Sequence, residues 1–186
     1  MRTKHSPPHY AIHIEGLGYR KAMDLMAHVC CVAESNAPAR VARVTNSRKS
    51  SEITFHQLSL RTWNRDFPRV LALYNDAWSD NEWATPVGPE EEKFIARLML
   101  PACKTGWIRI AAYRGEDVAV AVQIPDANEA LRGLRGKLLP FGFARFLWRI
   151  RVRGTKRTRV PMVGIARKWG NTKIATLAVG GLAADD

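Results

Sequence analysis

From residue 52 onward the apolar positions fall into alternating extended and helical stretches. Residues 53–60, 107–113, 117–124 and 159–165 are short apolar runs of strand length and composition. Arg114-Gly115-Glu116 joins the middle two as a hairpin signal. Between the first two runs, Phe67, Val70, Leu71, Tyr74 and Trp78 recur at helical spacing and predict a helix over residues 63–78, with Pro68 in its first turn. After a loop at residues 79–88, Pro89 followed by Glu90, Glu91 and Glu92 opens a second helix that ends near Pro101, the acids suiting the positive end of its dipole. Asp126-Ala127-Asn128-Glu129 has the spacing of a capping box before Ala130-Leu131, a helix start rather than a catalytic carboxylate pair. Residues 141–153 predict a helix of aromatics interleaved with arginines, and residues 173–183 a last helix. The order β-α-α-β-β-(α)-α-β-α predicts a mixed α/β domain.

Residues 1–51 read as a separate strand–helix remnant and linker, set apart from a domain over residues 52–186. Tyr10, Ile12 and Ile14 alternate with Ala11 and His13 as in a short strand, and residues 19–34 carry a helical apolar stripe. Residues 35–51, rich in Ala, Ser, Asn, Arg and Lys, read as the linker. His5, His9 and His13 would line one face of a helix, but Pro7 and Pro8 argue against that helix, so they are expected as incidental surface histidines.

Charge changes the picture. The formal net charge is +12, and residues 130–184 hold thirteen cations and no acid. Such a block attracts a polyanion, namely a phosphorylated cofactor, nucleic acid or an anionic membrane surface, or else a partner that supplies acids. Within it, Phe141, Phe143, Phe146 and Trp148 lie among Arg145, Arg149, Arg151 and Arg153. The favoured reading is a helix whose aromatics pack on the sheet while its arginines stay solvated. A nucleic-acid module and a membrane-surface helix are the alternatives. Cys30, Cys31 and Cys103 have no zinc spacing and are expected to be small buried residues; no metal is expected. No uncharged run reaches the roughly 20 residues that span a bilayer, and no secretory leader is evident, so the expected location is cytoplasmic.

Residues 159–165 lead through residues 166–172 into the last helix, a strand–turn–helix arrangement that aims backbone N–H groups and a positive dipole end at an anion. Gly170 would permit an unusual backbone angle there, with Lys173 adding charge in the first turn. From residue 52 the chain resembles the GNAT (Gcn5-related N-acetyltransferase-like) superfamily, and within it a bacterial uncharacterised acyltransferase-like subgroup. The residues that carry the resemblance are Tyr74-Asn75-Asp76-Ala77-Trp78, Ile124-Pro125-Asp126-Ala127-Asn128-Glu129-Ala130-Leu131 and Gly136-Lys137-Leu138-Leu139-Pro140-Phe141-Gly142, followed by Gly164-Ile165.

The resemblance implies an incomplete GNAT-like α/β (α+β mixed sheet) fold, β-α-α-β-β-α-β-α, truncated at both ends and lacking the C-terminal strands. It also implies an acyl-CoA-dependent N-acyltransferase-like function, with acetyl-CoA or another acyl-CoA as substrate and reduced or no activity in such a fragment. Carried over, Val163 and Ile165 would face the pantetheine arm, and Gly170, Asn171, Thr172, Lys173, Ile174 and Ala175 would form the pyrophosphate loop. The family loop runs Arg/Gln-x-x-Gly-x-Gly/Ala. Aligned on Gly170, Lys173 and Ala175, only the last position conforms. The resemblance assigns no catalytic residue. The acceptor is an unspecified small-molecule amine or protein. The final strand would be left with an open edge, which an oligomer could cover.

Overall fold

A computed structural model describes residues 7–24, 26, 28, 29, 31, 39, 42, 52–100, 107–134, 136, 137 and 139–184. The chain divides into two compact units, Met1–Ser35 and Asn36–Asp186.

In the first unit, residues 10–14 are helical rather than extended. Helix α1 spans His9–Gly16, with Pro8 as its N-cap residue at φ −55°. Pro7 and Pro8 thus precede the helix instead of interrupting it, and a proline with that φ is already set for a helical start. His9 and His13 share α1, their ring centroids 5.6 Å apart. Gly18, at φ +87°, turns the chain out of the helix, and Tyr19–Asp24, expected to be helical, are not. Most of residues 25–51, including the expected linker, lies outside the described residues, as do His5, Cys30 and Cys103. Cys31 is exposed, against the expectation of burial.

The second unit is an antiparallel sheet of four strands in the order β1-β2-β3-β4. The strands are β1 (Ile53–Gln57), β2 (Ile108–Tyr113), β3 (Glu116–Pro125) and β4 (Thr158–Ile165). Helices α2 (Trp63–Ala77) and α3 (Pro89–Met99) connect β1 to β2. The short α4 (Ala127–Leu131) and α5 (Gly142–Trp148), which runs on into a π-helical turn at Arg149–Arg153, connect β3 to β4. Helix α6 (Lys173–Ala184) follows β4. Arg114 (φ +51°) and Gly115 (φ +83°) form the tight β2–β3 turn, and two positive φ values in succession give a twist that matches the strands.

The central strands are apolar on both faces because both faces are covered. On one side Trp63, Phe67, Val70, Leu71 and Leu73 of α2 pack on Ile108, Ile110, Val120 and Val122. On the other, Leu177, Ala178 and Leu182 of α6 pack on Ile53, Ala111, Val118, Ala119 and Ala121. Each fully buried Leu, Ile, Val or Phe contributes roughly 1.5–3 kcal/mol. The α6 side is built from small residues, so the helix comes close to the sheet. A Cβ on Gly181 would run into the Phe55 ring.

Polar contacts fix α2 on the sheet. Asp66 is 2% exposed. It accepts from Arg65 Nε at 2.9 Å and Nη2 at 3.1 Å, and from Arg69 Nη1 at 3.0 Å. Arg69 reaches on to Asp117 of β3. The Arg65 guanidinium, with help from Thr62 and Arg69, pulls the Asp66 carboxyl down to about 2 against the opposing effect of burial. Pro68 lies two residues beyond the first turn expected for it, inside α2.

The expected capping box at α4 is only half formed. The Asp126 carboxylate accepts from Asn128 N–H at 3.0 Å. Glu129 instead accepts the N–H groups of Lys156 and Arg157 at 3.0–3.2 Å, tying α4 to the approach to β4. The expected helix over residues 141–153 is two pieces, α5 and the π-helical turn. Arg149 donates from Nη1 to Ala130 O at 2.8 Å, holding that turn against α4.

Candidate functional site

The C-terminal end of β4 and the turn at residues 166–172, which leads into α6, meet the C-terminal end of α2. Ala166 donates its N–H to Val118 O at 2.8 Å. Backbone groups alternate along a strand, so those of Gly164 also face β3, while the N–H and C=O of Val163 and Ile165 point to the edge of β4 away from β3. Their side chains, opposite Ala121 and Ala119 in the register, lie on the α6 side of the sheet. Ile165 packs into the core there, and Val163 is exposed.

The turn is a short 3₁₀ segment, Arg167–Trp169, followed by Gly170–Thr172. Gly170 has φ −46° and ψ −42°, an ordinary helical conformation, so the freedom that glycine permits is not used there. Thr172 acts as the cap of α6: its Oγ1 accepts from Ala175 N–H at 3.2 Å and donates to Trp169 O at 2.7 Å. The hydroxyl thereby occupies the N–H of Ala175, a buried residue, so that group does not face an incoming anion. Helix geometry leaves the first-turn N–H groups of Lys173 and Ile174 without an intrahelical acceptor. Asn171 and the Lys173 side chain are exposed beside them.

Two further cations of the turn are held by acids. Lys168 Nζ lies 2.8 Å from Glu116 Oε2, and Arg167 Nη2 lies 2.8 Å from Asp80 Oδ2. Asp76 Oδ2 accepts the backbone N–H of Arg167 at 2.8 Å. Trp169 sets its ring edge against Tyr113, with centroids 5.5 Å apart.

The block Tyr74-Asn75-Asp76-Ala77-Trp78 now has a local explanation, one contact at a time. Tyr74 stacks on Trp78 at 5.0 Å. The Asn75 amide donates to Val87 O at 3.0 Å and accepts from Val87 N–H at 2.8 Å, bracketing the loop between α2 and α3. Asp76 holds the start of the β4–α6 turn. Trp78 lies over Gly164, where a Cβ would come within 2.6 Å of Trp78 Cζ3, so only glycine leaves room for the ring. Ala77, Trp78, Asp80, Asn81, Glu82 and Trp83 line an open depression beside this corner.

The eight residues singled out in the sequence therefore form one continuous stretch of edge, turn and helix start, although Ile165 and Ala175 turn inward. Sequence reasoning missed Asp76, Trp78, Asp80 and Arg167. The signal for two of them was the Tyr74–Trp78 block itself, noticed for its resemblance and not for what its side chains hold. No group of three or more His, Cys, Asp or Glu residues able to hold a metal ion occurs among the described residues.

No family model matches the chain, and no solved structure matches it. Two curated relatives do. One, named bacterial ceramide synthase, from Caulobacter vibrioides, is 32% identical over 165 residues, covering 89% of this chain and 43% of the relative. The other, named protein YghO, from Escherichia coli K12, is 29% identical over 171 residues, covering 91% of this chain and 43% of the relative. The chain thus spans less than half the length of the curated relatives it matches.

Proposed function

We propose that this chain is the GNAT-like portion of an acyl-CoA-dependent N-acyltransferase that joins a fatty acyl group to a long-chain amine. The observation that carries the reading is the outward-facing backbone edge of Val163 and Ile165 running directly into the α6 N-terminus. Such an edge can pair with the amides of a pantetheine arm, and the N–H groups of Lys173 and Ile174 can receive a pyrophosphate. The turn also suits the family spacing better in another register. On Arg167, Gly170 and Thr172 the motif departs at its last position alone, whereas the register on Gly170, Lys173 and Ala175 ends on a buried residue of α6 whose N–H is already bonded.

The substrate class comes from the relative named ceramide synthase, since a ceramide is the amide of a fatty acid and a long-chain amino alcohol. In the reaction the amine nitrogen attacks the thioester carbonyl carbon, a C–N bond forms and the C–S bond breaks. The amine gives up one proton, the leaving thiolate takes one, and the products are an amide and free coenzyme A. Positioning the two reactants and stabilising the oxyanion would supply most of the rate. Residues 158–165 contain no acid, so a general base must come from outside β4.

The test is a thermal melt of the 186-residue chain with acetyl-CoA or palmitoyl-CoA at fixed moderate salt. A Tm that rises in proportion to ln[ligand] is the expected result, because binding to the native state stabilises it by mass action. A cooperative melt that neither thioester moves would overturn the proposal.

A further inference from the structure

The stretch between α4 and β4 departs from what its sequence predicts. Much of its apolar surface is bare: Leu139 is 83% exposed, Phe141 79%, Trp148 52% and Val152 69%. Phe141, Trp148 and Val152 follow one another at intervals of seven and four residues, which places them along one side of α5 and its π-helical continuation. Ile150, on the opposite side, is buried, and Phe146 and Leu147 are half-buried. The helix therefore has a packed side around Ile150 and a bare side, and Phe143, seven residues before Ile150, is also 51% exposed. Lys137, Arg145, Arg153, Lys156 and Arg157 of the same stretch are exposed. The two nearest acids in the sequence, Asp126 and Glu129, are engaged with Asn128 and with the backbone of Lys156 and Arg157.

We infer that this face docks on the surface of an anionic lipid bilayer, with Phe141, Trp148, Val152 and Leu139 entering the interface and the surrounding cations meeting the headgroups. Charge complementarity requires an anionic occupant, and the aliphatic members of the patch decide between the candidates. Nucleic acid offers ring faces to stack on aromatics but no medium for Leu139 and Val152, whereas a bilayer interface takes aromatic and aliphatic side chains alike. The inference does not depend on acyl transfer, and it goes beyond that reading.

The experiment is co-sedimentation of the 186-residue chain with vesicles of phosphatidylcholine alone and of phosphatidylcholine mixed with phosphatidylglycerol. The expected result is binding to the mixed vesicles only, weakened by salt. Phe141→Ser with Trp148→Ser should reduce that binding about tenfold or more, because the apolar insertion is lost. Arg145→Gln with Arg153→Gln should reduce it about 25-fold, at ~5-fold per cation near the surface. All four positions are exposed, and an unchanged melting curve for each pair shows that the fold is intact. Three results would overturn the inference: no sedimentation with mixed vesicles, sedimentation that ignores the aromatic pair, or a bare face covered by a second copy, read as a dimer that the aromatic pair dissolves. Tighter binding to duplex DNA than to mixed vesicles would give the surface to nucleic acid instead.

Discussion

Replacing Asp66 by asparagine removes a buried charge and little else. The carboxylate is 2% exposed and accepts three hydrogen bonds from Arg65 and Arg69, led by the two from Arg65. These hold its folded-state pKa near 2, against about 3.9 in an unfolded chain. A gap of that size corresponds to roughly 2.5 kcal/mol of stability. Because the folded pKa is the lower one, this contribution is complete above the unfolded value. It fades as pH falls from about 5 towards about 2. The asparagine amide keeps the shape and one acceptor, and Arg69 keeps Asp117, so the loss should be close to the charge term alone. Circular-dichroism melts at pH 7 should place the D66N variant about 5–10 °C below the parent, the shift expected for a unit of this size. Near pH 2 the two curves should converge. An equal gap at both pH values would mean that the cost lies in packing and not in charge. A gap that widened as pH fell would refute the sign of the linkage.

Gly164→Ala drives a methyl against the Trp78 ring, where 2.6 Å is available. It should cost about 1–3 kcal/mol, with a change in tryptophan emission as the ring moves; an unchanged melt would mean that the ring can shift aside without loss. Arg114→Asn should stabilise the chain by about 0.5–1 kcal/mol, because Asn tolerates the left-handed conformation better than Arg. The ion pair to Glu52 that it removes is exposed and screened by solvent, so its loss should not offset that gain. The reading is the urea midpoint at unchanged slope, and a lower midpoint would show that the ion pair outweighs the turn.

The β-rich runs and the amphipathic α2 and α3 were legible because period and punctuation agree there. Of the apolar positions that the pattern singles out for α2, Phe67, Val70 and Leu71 are buried and Tyr74 and Trp78 half-buried. The hairpin was legible because Gly115 leaves few other turns. What misled was any pattern too short to carry its own period. Five alternating residues after Pro8 fit a strand, yet a proline with helical φ followed by eight residues free of interruption is equally a helix start. Asp126 and Glu129 stand at capping-box spacing, but Glu129 finds two better donors at residues 156 and 157, a long-range contact that no local pattern encodes. The turn expected between the last strand and the last helix lies there, between β4 and α6. Its inner workings were not legible: Gly170 needs no special angle, and Thr172 does the capping. The partners that hold the turn, Asp76 and Asp80, lie about ninety residues upstream, beyond the reach of spacing arguments. The aromatics of α5 show the limit of reading burial from apolarity, since one helix can carry more apolar surface than its domain covers.

The strand order has a consequence for how the molecule is made. Since β1, β2, β3 and β4 neighbour one another in the order of synthesis, each strand emerging from a ribosome finds its partner already made, and none must insert between two others. The residues that cover the second face of the sheet, Leu177, Ala178 and Leu182, come after every strand. Throughout synthesis of the sheet, Ala111, Val118, Ala119 and Ala121 therefore have no lid of their own. That interval is when a nascent chain with this topology depends most on whatever else in the cell can shelter a bare apolar surface.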